Sequence, residues 1–132
     1  MEGFLQRTSL LIGEDGIQRL QNSFVMVIGL GGVGSYAAEA LARSGIGHLT
    51  LVDRDRVEAS NINRQLPALH STLGRFKCEV MAERIRDINP GIDLRVLPVE
   101  YTPETADKIL DRSYDFVVDA IDSLTDKIHL IE

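Results

Sequence analysis

A single cysteine, Cys78, stands in 132 residues. One thiol closes no internal disulfide and supplies no metal-binding pair, so a disulfide-stapled scaffold and a paired-cysteine zinc site are both excluded. A reducing, cytoplasmic setting is the default expectation. No apolar run approaches the roughly 18 residues that would cross a membrane. The first nine residues carry Glu2 and Arg7 and no apolar signal-peptide core. No membrane partner is expected. Repeats, low-complexity tracts and linkers are also missing. So is a basic stripe of the kind that marks nucleic-acid binding. His48, His70 and His129 are scattered and form no ligand set.

The chain has 44% hydrophobic and 26% charged residues, a globular rather than a disordered balance. Its net charge of −6 is unevenly placed. Residues 53–95 hold eight basic and seven acidic side chains, whereas residues 96–132 hold three basic and nine acidic. The arginine-rich middle third can therefore host a polyanion, and the acidic end lends no support to nucleic-acid contact.

The order of elements follows from periodicity. Residues 14–20 fit a short helix. The continuous apolar run Phe24–Ile28 fits a strand buried on both faces. Residues 35–44 read as a helix ended by Gly45, and residues 49–52 as a second strand. A long polar segment, 53–71, is irregular. Residues 75–88 form an amphipathic helix with Cys78, Met81, Ala82, Ile85 and Ile88 on one face. A third strand covers 94–99, a helix capped by Thr102 covers 103–110, a fourth strand covers 114–119, and a further helix begins at 124. This alternation predicts a Rossmann-like, doubly wound α/β fold: a mainly parallel sheet with helices on both faces. Residues 1–132 read as one domain. A complete sheet of this kind has about two further strands, so the expectation is the N-terminal part of a longer domain.

Gly29-Leu30-Gly31-Gly32-Val33-Gly34 fits G-x-G-x-x-G between a strand and a helix. Such glycines permit a tight turn and close approach to a phosphate at the helix N-terminus. Asp53 ends the second strand, where a carboxylate can take ribose hydroxyls. The motif says only "nucleotide": NAD, FAD and ATP stay open.

Asp55, Asn61, Arg64 and Lys77 add what a dinucleotide site does not need. One helical turn would put Asn61 and Arg64 on one face, and arginine is a planar, permanently charged fork for phosphate. The competing explanation is a solvated loop with a helix-capping asparagine. Lys77 sits in the first turn of its helix, where a cation opposes the dipole at a cost of up to about 1 kcal/mol. Reaching a phosphate explains that placement, and a solvated surface lysine is the alternative. Asp122 follows the fourth strand, on the edge shared with the glycine loop and Asp53. A carboxylate beside a triphosphate calls for a bridging cation, and Mg²⁺ fits; capping the helix from 124 is the alternative. Cys78 reads as a small buried hydrophobe and not as a nucleophile.

These pieces together resemble the ThiF/MoeB/HesA family of adenylating enzymes, relatives of the ubiquitin-activating enzymes. The match runs through Gly29 to Gly34, Asp53-Arg54-Asp55, Asn61-Ile62-Asn63-Arg64-Gln65, Gly74 to Lys77 and Asp119 to Ser123. Residues 63–69, 80–90 and 119–123 with Lys127 are most similar to the tRNA threonylcarbamoyladenosine dehydratase branch. The resemblance implies ATP and Mg²⁺ as cofactors, with carboxylate adenylation followed by cyclisation with loss of water. It implies Gly29, Gly31, Gly32, Gly34, Asp53, Asp55 and Asn61 at the nucleotide, Arg64 and Lys77 on phosphate, and Asp122 on the metal. It also implies a homodimer in which Arg7 reaches the partner's site, and a tRNA substrate. Three alternatives remain. One is an activator of a ubiquitin-like sulfur-carrier protein with its sulfur-transfer partner. Another is an NAD-binding oxidoreductase domain, which leaves Asn61, Arg64, Lys77 and Asp122 idle. A third, a non-catalytic dimerising fragment, would need its substrate site completed elsewhere.

Overall fold

The apolar runs at 24–28 and 48–52 call for pairing on both edges and cover on both faces, and the fold gives them both. The computed structural model describes residues 3–121 and 130–131. Strands β1 (Phe24–Ile28), β2 (His48–Val52), β3 (Asp93–Leu97) and β4 (Phe116–Asp119) form one parallel sheet in the order β3-β2-β1-β4. Val27 pairs with Leu51 and Val118, and Leu51 pairs with Val96, so one row of apolar side chains crosses the sheet. The chain winds outward from β1 to β3 and then returns to the other side of β1. That reversal makes the carboxyl ends of β1 and β4 a switch point, where doubly wound sheets open a crevice.

Period-2 alternation sorts the strand residues between two cores. On one face Val25, Val27, Leu49 and Leu51 pack against α2 (Gly32–Ser44) and α3 (Lys77–Ile88) through Ala38, Ala42, Cys78, Met81 and Ile85. On the other, Met26, Ile28 and Val52 meet Tyr101 and the short helix α4 (Ala106–Ile109). Cys78 is fully buried, and burial pushes its thiol up to about 11, which leaves it an inert hydrophobe. Gly45, at φ 95°, ends α2 in the left-handed conformation expected of it.

Two helices depart most from their expected bounds. Helix α1 (Gln6–Gln21) is longer than residues 14–20, because a second helical stretch precedes the expected one across a kink at Gly13 (φ 74°, ψ 173°). Helix α4 begins later than Pro103. Thr102 does accept the Thr105 N–H as a cap should (3.2 Å), but Thr105 Oγ1 accepts the Thr102 N–H in return (2.9 Å). This closed turn occupies 102–105 and delays the helix. The helix expected from 124 falls largely outside the described residues; Leu130 and Ile131 are helical.

Glu39 ties the two helices of the larger core together. It pairs with Arg84 of α3 and, at 3.2 Å, with Arg43 one turn along α2. Arg84, and then Arg43, hold its carboxyl below the usual range against the opposing effect of burial. A depressed carboxylate stabilises the fold above its unfolded pKa and loses that contribution as pH falls through its folded one. Glu39→Gln is therefore expected to cost about 1 kcal/mol at neutral pH. The difference from wild type should start to shrink as pH falls below the range of a free glutamate and vanish only below the lowered folded pKa, in denaturant titrations run across pH.

Candidate nucleotide-binding cleft

A cleft of about 720 Å³ opens at the carboxyl edge of the sheet, over the ends of all four strands. The glycine loop forms one wall, and its glycines do two different jobs. Gly29 has φ 96°, and a Cβ there would stand 2.5 Å from the Ala120 carbonyl oxygen. A Cβ on Gly34 would stand 1.6 Å from the Gly29 carbonyl oxygen. Both positions are glycine because the backbone of β1, α2 and the β4 end meets there. Gly31 and Gly32 are different. A Cβ would find only ordinary contacts, 3.5 Å to Gln65 Nε2 and 3.8 Å to Arg64 Cγ respectively. Their own fold does not demand glycine, and both face the cleft.

Asp53 is locked into the loop. Its Oδ2 accepts the Leu30 N–H at 2.7 Å and its Oδ1 accepts the Asp55 N–H at 2.6 Å. Burial nevertheless raises its carboxyl above the ordinary value, with the two N–H bonds and Lys77 opposing and Asp55 adding to the rise. The charge is thus held in an enclosed place where a hydroxyl donor would be welcome.

Lys77 opens α3 and is buried, with only 7% of its side chain exposed. That removes the surface-lysine explanation. Its ammonium lies 4.0 Å from Asp55 Oδ2, a loose contact, and its side chain lines the cleft with Asp53 and Asp55. Arg64 stands exposed at the mouth beside Gly32, its guanidinium donating to the Ser60 carbonyl (3.1 Å) and to Asn63 Oδ1 (3.0 Å).

Other expected residues sit elsewhere. Asn61 lies outside the cleft lining. It is buried, its side-chain oxygen accepts the Glu58 N–H at 2.9 Å, and its carbonyl accepts the N–H groups of Arg64 and Gln65. Its observed work is to shape the loop that carries those two. Arg7 is exposed on the first turn of α1 and is also absent from the lining. Asp122 lies outside the described residues; Ile121, just before it, lines the cleft, and Asp119 accepts the Ile121 N–H at 3.1 Å. Among the described residues no group of three or more His, Cys, Asp or Glu side chains could hold a metal. No helix among them is long and apolar enough to cross a membrane.

One wall of the cleft escaped the motif search. Val99, Glu100 and Tyr101 close it beyond β3, and Arg54 spans to Glu100 at 3.1 Å. The rule that ligands gather beyond strand ends could have found them. Gln65, which stood in the matched motif without an assigned role, is a buried member of the lining.

Comparison with known proteins decides what this arrangement belongs to. The model of the ThiF family matches residues 5–132. The chain belongs to the ThiF family. A Bacillus subtilis tRNA threonylcarbamoyladenosine dehydratase is 51% identical over 126 residues, which cover 96% of this chain and 50% of that protein. The crystal structure of the Escherichia coli tRNA N6-threonylcarbamoyladenosine dehydratase, TcdA, superposes with a TM-score of 0.94 at 46% identity, over 97% of this chain and 54% of that one. A second crystal structure of the E. coli dehydratase, at 47% identity and a TM-score of 0.92 over 95% of this chain and 51% of that one, is a complex with ATP. This ThiF-family chain therefore spans about half the length of the relatives it matches. Its sheet and glycine loop are those of a family whose members include ATP-binding dehydratases.

Proposed function

We propose that this chain is the nucleotide-binding part of an ATP-dependent enzyme that adenylates the carboxylate of threonylcarbamoyladenosine in tRNA and cyclises it with loss of water. The observation that carries the ATP reading is buried Lys77, which lines a cleft whose glycine loop leaves room for phosphate. A dinucleotide oxidoreductase would leave that buried charge idle. The substrate follows from the relatives' names and from their share of identical residues.

In this account Asp53 holds the ribose, and Arg64 and Lys77 neutralise the phosphate chain, with Asp55 keeping Lys77 in place. Asn61 serves by holding the loop under Arg64. A carboxylate oxygen attacks the α-phosphorus, and the bond to the bridging oxygen breaks and expels pyrophosphate. The nucleoside's own nitrogen then displaces AMP from the acyl carbon. The protein contributes position and charge neutralisation and needs no nucleophile of its own. Mg²⁺ would be held by Asp122 and supply further neutralisation at the phosphates; this ion commonly takes one or two carboxylates with phosphate oxygens, so it needs no larger cluster. Arg7 acts in trans within a homodimer, in a cytoplasmic setting. Activation of a ubiquitin-like sulfur carrier is the second reading, since the cleft alone does not choose the carboxylate.

Thermal unfolding of the protein with Mg·ATP and with NAD⁺ tests the nucleotide. Ligand that binds only the native state adds RT ln(1 + [L]/Kd), about 2.7 kcal/mol at a hundredfold excess over Kd. The expected result is a rise in Tm with Mg·ATP, none with NAD⁺, and loss of the Mg²⁺-dependent part in Asp122→Ala. A rise with NAD⁺ alone rejects the ATP reading; an unchanged Asp122→Ala rejects the metal role.

A further inference from the structure

Gln65 lines the cleft beside Gly31 and is 8% exposed. Its backbone is tied down, donating to the Asn61 carbonyl at 2.9 Å and accepting from Ala68 at 3.1 Å. Its amide is not satisfied: among the described residues the buried Oε1 has no hydrogen-bond partner. A buried amide that leaves its oxygen orphaned is poorer for folding than an apolar side chain of the same size. Packing therefore does not account for a glutamine here. Its other end does have somewhere to go, because Nε2 lies 3.5 Å from the place a Gly31 Cβ would occupy, on a stretch of loop that borders the cleft and has room for a ligand.

The order of contacts along the loop says which part of a ligand comes there. Leu30 is bonded to Asp53, the ribose anchor of the adenylation reading, on which this step rests. Gly31 comes next and faces Gln65; Gly32 follows and faces Arg64. A nucleotide laid from Asp53 along this wall brings its first phosphate to Gly31 and its outer phosphates toward Arg64. We propose that Gln65 is a ligand-contacting residue whose amide N–H donates to an oxygen of the α-phosphate, the phosphorus that the carboxylate attacks. A neutral donor suits that place. It stabilises the oxygens as negative charge builds on them, and it gains and loses no proton in the step.

The test is equilibrium binding of AMP, adenosine and Mg·ATP to the full-length protein and its Gln65→Met variant, with the unfolding temperature of each unliganded protein. Met keeps the size and removes the donor. AMP and Mg·ATP affinity should fall about tenfold or more, as for a lost hydrogen bond to a charged group. Adenosine affinity should stay unchanged, and the unliganded Tm should hold or rise. Gln65→Glu should weaken AMP further, by adding a charge of the same sign. Equal weakening of AMP and adenosine, unchanged AMP affinity, or a falling Tm with intact AMP binding would each overturn the assignment. Binding needs no turnover, so a wild type that binds AMP but converts no ATP to AMP would sink the adenylation reading and still leave Gln65 to be judged by the AMP and adenosine contrast. A wild type that binds neither would overturn both.

Discussion

Lys77→Met should lower ATP affinity by about a hundredfold or more while leaving the unliganded protein as stable as before, or more so. The two signs come from the same facts. The ammonium is buried, its nearest carboxylate oxygen is 4.0 Å away, and it stands on the first residue of α3, where the helix dipole opposes it. Folding gains little from such a charge. The neighbouring carboxylates do not depend on it either. Asp53 has both oxygens on backbone N–H groups, and Asp55 is exposed to water. A bound polyphosphate, by contrast, would face Asp53 and Asp55 with no ammonium between them. Isothermal titration with Mg·ATP, beside unfolding of the free protein, reads both effects. Unchanged ATP affinity together with lost stability would make Lys77 a structural counter-ion and remove the main support for the phosphate site.

The second large effect separates glycines that hold the fold from glycines that admit a ligand. Gly34→Ala should destabilise the protein by roughly 3 kcal/mol or more, because the new methyl meets the Gly29 carbonyl at 1.6 Å and both partners are backbone. Relief requires the end of β1 and the start of α2 to part. Gly31→Ala should cost no more than about 1 kcal/mol, mainly the poorer N-cap that alanine makes. Its methyl enters the cleft, so nucleotide affinity should fall about tenfold or more through lost close approach. Denaturant unfolding and ATP titration of the two variants should thus give opposite profiles. Equal loss of stability in both would mean that the loop is one rigid turn with no part reserved for ligand.

The sheet was legible because its strands are short apolar runs between turn signals. Phe24–Ile28 emerged with its expected bounds, and the others shifted by a residue or two at their ends. Tertiary detail was hidden where local pattern has two meanings. Thr102 reads as a helix cap, and only its exchange of hydrogen bonds with Thr105 turns the next three residues into a closed turn. Asn61 and Arg64 look like a pair by spacing, yet Asn61 turns inward to Glu58 while Arg64 reaches the cleft mouth. Helical spacing tells which residues are neighbours but not which way a short 3₁₀ turn faces. The wall from Val99 to Tyr101 falls in none of the motifs, because what it gives the cleft is shape and, through Glu100, an ion pair with Arg54. Gln65 stood in the motif beside Arg64, but its unpartnered oxygen is visible only in three dimensions.

The most direct test of adenylation follows one oxygen atom. The full-length protein would be given ATP and tRNA whose threonylcarbamoyladenosine carboxylate carries heavy oxygen. If that carboxylate attacks the α-phosphorus and AMP later leaves the acyl carbon, one labelled oxygen must appear in AMP as the nucleoside loses water. AMP free of label, or ADP as the product, would contradict the account.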